Sequence, residues 1–407
     1  MSLTTILLVG IVASIFVGFN IGGSSTGIAW GPSVGAGIIS KTVAAGLMTF
    51  FVFLGGWTVG RNVMDTLAGD IITIPISLEA GVGVLFFIGL GILIANVFGV
   101  PVPTSMTTVG SIAGLGLATG TLNFETIGWI VAWWIVTPVI GFWVGGTIGR
   151  YLYPELNRRF EIVSSEGPLL TLDRDGAVPT PILGPNTTRQ ELAGTIVVLM
   201  IGCYMAFSAG ASNVPNAVAP LVSSGALEAN TAIAVATVAI GLGGFTIARR
   251  TMESVGTELS DIPLLAALIV MTVAATITTA LSWIGIPISL VMAMVMTIVG
   301  LGWGRATRPI RARDALRGQA DADIAPGALT AETETPVRTI DEDTNEPSET
   351  DTPTARNIGE EEPREVREAG NLFNPRAVIK YISMWIIGPT VSMGLSYAFF
   401  VAIPVVG

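Results

Sequence analysis

Residues 18 to 75 of this chain return, without a gap, as residues 206 to 263. At the single offset that carries Gly22 onto Gly210, 188 residues, Ser24 meets Ser212, Pro32 meets Pro220, Gly56 meets Gly244, Arg61 meets Arg249, Met64 meets Met252 and Pro75 meets Pro263. A duplication kept in register over this length sets the architecture before any propensity is consulted, because two copies of one sequence must find two equivalent environments. Both copies are apolar, with glycine-rich polar interruptions at matching places. That pattern is the signature of membrane proteins in which a small ligand is bound between two repeats near the bilayer midplane.

The membrane assignment follows from charge. Only 12% of the 407 residues are charged and 51% are hydrophobic, where an average soluble domain carries about 25% charged residues. Apolar runs near 3–21, 41–60, 80–100, 126–147, 193–209, 229–247, 262–283 and 379–403 each approach the roughly 20 residues a helix needs to cross hydrocarbon. Shorter stretches at 24–39, 103–119, 212–226 and 287–302 are speckled with Gly, Pro, Ser and Thr, which is tolerated at membrane depth where backbone lines a protein cavity. The expectation is an all-α integral membrane protein, multi-pass in the cell membrane, made of two inverted repeats with discontinuous or re-entrant helices. The first repeat spans 1–151, a central linker 152–190, the first part of the second repeat 191–304, an acidic loop 305–375 and the last transmembrane segment 376–407. The MSLTT start has no basic residue, so the first run does not read as a cleavable signal.

The formal net charge of −10 is concentrated in the acidic loop, which opens with Arg305, Arg308, Arg311, Arg313 and Arg317 and continues rich in Glu, Asp, Thr and Pro. Such a sequence cannot bury enough surface to offset its ordering entropy and reads as disordered and solvated. The arginines of this loop and of the central linker place both on the cytoplasmic side by the positive-inside rule. There is no histidine, and Cys203 is the single cysteine. Imidazole relays, disulfides, zinc clusters and Ser-His catalysis are thereby excluded, and no enzyme is expected.

Four short segments carry the chemistry. Gly22-Gly23-Ser24-Ser25-Thr26-Gly27 and Gly210-Ala211-Ser212-Asn213-Val214-Pro215-Asn216 are one repeat pair; Pro101-Val102-Pro103-Thr104-Ser105-Met106 and Pro287-Ile288-Ser289 are the other. Glycine permits a turn and proline stops a helix, so each segment is expected to open a helix inside the membrane. Unpaired N–H groups there, joined by Ser and Thr hydroxyls, would form a neutral, donor-rich cage for a tetrahedral oxyanion. The competing reading is plain helix packing through small residues. Arg61 and Arg249, each followed one turn on by an acid (Asp65, Glu253), read either as an attractor for the anion or as an interfacial ion pair.

These segments resemble the PiT family of inorganic phosphate transporters over nearly the whole chain apart from the two loops. The family's G-A-N-D-V-A-N-A pattern falls on 22–29 and on 210–217, its Gly-Lys/Arg-x-Val-x-x-Thr element on Gly60 to Thr66, its P-[IV]-S-x-T-H motif on 101–106 and 287–292, and its W-I-V-x-P ending on Trp134 to Pro138 and Trp385 to Pro389. The resemblance implies phosphate transport by alternating access. The departures bear on the ions: the Asn-Asp pair has become Ser24-Ser25 and Ser212-Asn213, and the His position holds Met106 and Met292. Both carboxylates that the family uses in ion coupling are absent.

The resulting expectation is a secondary-active phosphate transporter with Na⁺ as coupling ion and no other cofactor, acting in the lipid bilayer without nucleic acid, with a homodimer left open. Ser24, Ser25, Thr104, Ser105, Ser212 and Ser289 are the expected anion ligands; Asn20, Asn213 and Asn216 are the expected cation ligands. Sulfate, which has no proton to place on a carboxylate, is the alternative substrate. A passive anion pore and a non-transporting receptor are the remaining alternatives.

Overall fold

A computed structural model describes residues 2–97, 103–159, 170–173, 180–183, 188–248, 263–306 and 375–403. The acidic loop apart from Arg305, Ala306 and Pro375, and the Arg249–Glu253 pair, lie outside these residues. The described chain is almost wholly helical: α1 Leu3–Gly35, α2 Lys41–Trp57, α3 Gly60–Asp65, α4 Leu78–Val97, α5 Thr104–Thr119, α6 Phe124–Thr147, α7 Tyr153–Arg159, α8 Arg189–Ser223, α9 Ala229–Thr246, α10 Leu264–Trp283, α11 Leu290–Ala306 and α12 Pro375–Ala402. Short π-helical turns at Thr66–Asp70 and Ile148–Leu152 extend α3 and α6. The central linker, read from sequence as plain loop, contributes α7 and a two-stranded antiparallel hairpin, β1 Leu170–Asp173 with β2 Thr180–Leu183.

Among the described residues six helices are long and apolar enough to span a bilayer, and a seventh is counted if α2 and the segment Gly60–Asp70, bent by 63° at their junction, form one span. Helix α6 leaves Trp129, Ile135, Val139 and Trp143 exposed, an apolar face of the kind that meets lipid rather than water.

One expectation is corrected here. The segments 24–39 and 212–226 are not separate re-entrant pieces, and the glycine motifs at 22 and 210 do not start helices: they lie in the middle of the unbroken α1 and α8, 33 and 35 residues long. The reason is what the glycines touch. A Cβ on Gly22 would overlap the Ile240 carbonyl oxygen of α9, and one on Gly210 would overlap the Val52 carbonyl oxygen of α2. These glycines serve close helix approach, the packing role that small residues have in membranes. The other pair of motifs behaves as expected. Pro103 precedes the first turn of α5, and the buried, non-helical stretch Ile286 to Ser289 leads into α11.

The contacts obey the sequence repeat. Gly55 abuts the Phe207 carbonyl, and Gly243, its repeat equivalent, abuts the Phe19 carbonyl, equivalent to Phe207. Eight of the helices thus pack most extensively on a helix of the other half: α1 on α9 and α2 on α8, α5 on α12 and α6 on α11. In the second set Gly114 meets the Met393 carbonyl and Gly300 the Phe142 carbonyl, and hydroxyls reinforce the first of these seams, with Ser392 donating to Thr107 O at 3.0 Å and Ser396 to Ser111 O at 2.7 Å. Such reciprocity is that of an isologous interface, in which i touches j and the mate of j touches the mate of i.

Adding one methyl group at these seams should be costly. Gly22→Ala and Gly210→Ala are expected to destabilise the detergent-solubilised protein by about 1–3 kcal/mol or more through overpacking. Gly128→Ala, on an exposed face of α6 with no atom near its would-be Cβ, should leave the melting temperature unchanged or raise it, since alanine is the better helix former by about 1 kcal/mol. Thermal unfolding of the three variants checks the contrast.

Candidate functional site

The interior where the two halves meet holds a neutral polar cluster. It is built from three places: the middle of α8, the first turn of α5 and the linker before α11. The middle of α8 is fixed by Gly210 seated on α2, so that Ser212, Asn213 and Asn216, within the next two turns, are all buried. Pro103 has no N–H and ends the linker before α5. Thr104, Ser105 and Met106 therefore occupy the first helical turn, whose N–H groups have no carbonyl one turn back; the first bond of this helix is Thr107 N to Pro103 O. The linker before α11 is pinned by the Trp134 indole, which donates to Pro287 O at 2.9 Å.

A single main-chain oxygen organises the cluster. The Ile288 carbonyl accepts from Ser105 Oγ at 2.9 Å and from Ser212 Oγ at 2.6 Å, and the two hydroxyl oxygens lie 3.2 Å apart. Asn216 Nδ2 donates to Ser105 Oγ at 3.0 Å and lies 3.5 Å from Thr104 Oγ1. Thr104 Oγ1 in turn donates to Asn213 Oδ1 at 2.6 Å, and Asn213 Nδ2 donates to Ser25 Oγ at 3.3 Å. Each hydroxyl has one proton, and those of Ser105 and Thr104 are committed to Ile288 O and Asn213 Oδ1. The face that Asn216 turns to them must then be its NH₂. Its Oδ1 points elsewhere, fully buried and without a hydrogen-bond partner.

Of the expected anion ligands, the structure brings Ser25, Thr104, Ser105 and Ser212 into one bonded network, and places Ser289 beside it, 2% exposed and one residue beyond Ile288. Ser24 is turned along its own helix, its hydroxyl on the Ile21 carbonyl at 3.1 Å. Of the expected cation ligands, Asn213 and Asn216 belong to the network, whereas Asn20 donates to Phe16 O of its own helix at 2.8 Å. The Ile288 carbonyl and the Trp134 indole were not anticipated. A main-chain oxygen leaves no mark in a sequence beyond its place between Pro287 and a helix start. Arg61 does not pair with Asp65; its guanidinium stacks on Trp57 at 4.6 Å and donates to Asn230 of α9 at 2.6 Å.

The arrangement has two chemical properties. Two helix starts, α5 from one half and α11 from the other, converge on hydroxyl donors with no ionised side chain among the bonded residues, which gives a locally positive and water-poor site suited to an anion. The site is also one-sided. The repeat equivalents of Asn216, Thr104 and Ser105 are Ile28, Leu290 and Val291, so the image of the polar cluster keeps only Ser24 and Ser25, the equivalents of Ser212 and Asn213.

Comparison with known proteins agrees with this architecture. The chain is 30% identical over 305 residues to the sulfate permease CysP of Bacillus subtilis, covering 73% of this chain and 77% of that one. It is 24% identical over 376 residues to a putative phosphate permease of Pyrococcus furiosus, covering 75% and 89%. A solved structure described as the sodium-dependent phosphate transporter superposes with a TM-score of 0.61 at 18% identity, over 96% of this chain and 98% of the other, so the two share a fold. The model of the phosphate transporter family matches residues 21–396. The chain is a multi-pass membrane protein and belongs to the phosphate transporter family.

Proposed function

We propose that this protein is a secondary-active transporter of inorganic phosphate, coupled to Na⁺ and working by alternating access between two inverted repeats. The observation that carries the choice of anion is Asn216 Oδ1, a buried acceptor without a partner on the side of the amide turned away from Ser105 and Thr104. At neutral pH phosphate carries at least one P–OH, which needs an acceptor. Sulfate carries none and would leave this oxygen unpaired, at a cost of about 1–3 kcal/mol. A neutral amide oxygen thus takes over the task for which a carboxylate would otherwise serve.

The same network supplies a route to coupling. To bind an anion, the hydroxyls of Ser105, Ser212 and Thr104 must turn their protons from Ile288 O and Asn213 Oδ1 toward it. Two buried oxygens then lose their donors, which is unfavourable. A Na⁺ ion takes such oxygens as ligands. Anion binding therefore prepares a cation site and cation binding releases hydroxyls for the anion, a reciprocal coupling between the two ligands. The family resemblance and the fold shared with a sodium-dependent transporter support this reading.

Sulfate is the second reading. It is favoured by the replacement of the motif carboxylates with Ser24-Ser25 and Ser212-Asn213 and by the similarity to a sulfate permease.

Uptake of radiolabelled phosphate and sulfate into proteoliposomes, with and without an inward Na⁺ gradient, tests both. Phosphate accumulation that requires the gradient is the expected result; equilibration without accumulation would indicate a pore, and sulfate accumulation with phosphate excluded would establish the second reading. Ser105→Ala should raise the KM for the anion by about 10- to 100-fold, since one anion oxygen loses its donor. Asn216→Asp separates the anions further: a carboxylate there still accepts from P–OH but repels sulfate, so phosphate uptake should persist while any sulfate uptake falls at least about tenfold.

A further inference from the structure

Far from the cluster, at the other end of α11, lies a buried cation that transport does not use. Arg305, in the last turn of α11, is 4% exposed, and its Nε and Nη1 are buried without a hydrogen-bond partner. Its guanidinium rests on the ring of Tyr153, 4.2 Å from the centroid, and Tyr153 is itself buried. Arg150 is adjacent: a Cβ on Gly304 would sit 3.0 Å from the Arg150 backbone nitrogen, and Arg150 Nε is also buried and unpartnered. A guanidinium cannot relieve its burial by losing a proton, and the face of one tyrosine satisfies none of its N–H donors. Arg305 so buried, with the half-buried Arg150 on the touching backbone, its guanidinium over the exposed ring of Tyr151 at 5.7 Å, calls for an anion that accepts several hydrogen bonds at once. The planar fork of arginine matches the oxygens of a phosphate or sulfate group.

The surroundings place these arginines at the membrane boundary. Trp143 and Trp303 stack edge to face with centroids 6.4 Å apart, both rings exposed, and Tyr151, next to Arg150 in the chain, is exposed as well; such aromatics gather at the level of lipid headgroups. This pair is separate from the transport cluster, since Arg305 lies 15 residues along α11 from Leu290, about 22 Å. Nor is it repeated. In the register that carries Met106 onto Met292, the first-half equivalent of Arg305 is Thr119, whose hydroxyl is satisfied by Leu115 O at 3.0 Å.

We propose that Arg305, Arg150 and Tyr153 form a binding site for a phosphate-type oxyanion, supplied either by the headgroup of an anionic phospholipid or by free inorganic anion. Basic pockets between transmembrane helices at the membrane boundary bind headgroups in this way.

Thermal unfolding of the delipidated full-length protein in neutral detergent tests it. Phosphatidylglycerol is expected to raise the melting temperature by several degrees in the wild type and in Ser105→Ala, more than phosphatidylcholine does, and the rise should be lost in Arg305→Gln. If inorganic phosphate gives the rise in Ser105→Ala and loses it in Arg305→Gln while the lipid has no effect, the site stands with the free anion as its ligand. No rise with either ligand, or a rise that survives in Arg305→Gln, overturns the proposal. Should Arg305→Gln not fold, Arg305→Lys keeps the charge and loses the fork; a smaller rise supports the site, and an undiminished one overturns it.

Discussion

Contact between the backbones of helices from opposite halves is the constraint on which the rest of the structure depends. In hydrocarbon there is no water to drive apolar surfaces together, so helix association rests on close van der Waals approach and on hydrogen bonds. Here glycine makes that approach possible at Gly22, Gly55, Gly210 and Gly243, each set against a carbonyl of the other half. The fit leaves little freedom in rotation or register, and it is this rigidity that brings Ser212, Asn213 and Asn216 of α8 to the same depth as the first turn of α5. The polar cluster follows from the apolar packing around it.

Burial makes that cluster responsive. Hydroxyls that all donate to protein oxygens form a stable, closed set in a low-dielectric interior. The set can open only if a ligand accepts the released protons and something else satisfies the carbonyl they leave. The Ile288 oxygen, shared by a serine from each half of the molecule, is where these two demands meet.

The sequence made the larger architecture readable because duplication and hydropathy both leave marks in residue identity. The repeat, the transmembrane character and most of the hydroxyls that gather in the cluster could be read there. The role of Gly22 and Gly210 could not, since glycine permits a turn and permits close packing equally well, and only the position of Ile240 and Val52 decides between them. Ser24 and Ser212 are repeat equivalents yet differ in partner, one bonded along its own helix and the other to Ile288, and their shared motif position does not distinguish them. Arg61 likewise looked paired by spacing, but Asn230 of α9 reaches it.

Asn213 bonds to Ser25, the residue 188 positions away that is its own repeat equivalent. A contact between equivalents can lie only where the two halves exchange, as residues on the twofold axis of a homodimer touch their own copies. The seams of α1 with α9 and of α2 with α8, being equivalent, are ones that two separate copies of a single half could also form. The geometry is thus that of a symmetric pair made continuous in one chain. In one chain the two copies can differ, and they do, with Asn216 in one and Ile28 in the other. A symmetric dimer must duplicate its polar groups, and this chain carries Asn216, Thr104 and Ser105 once.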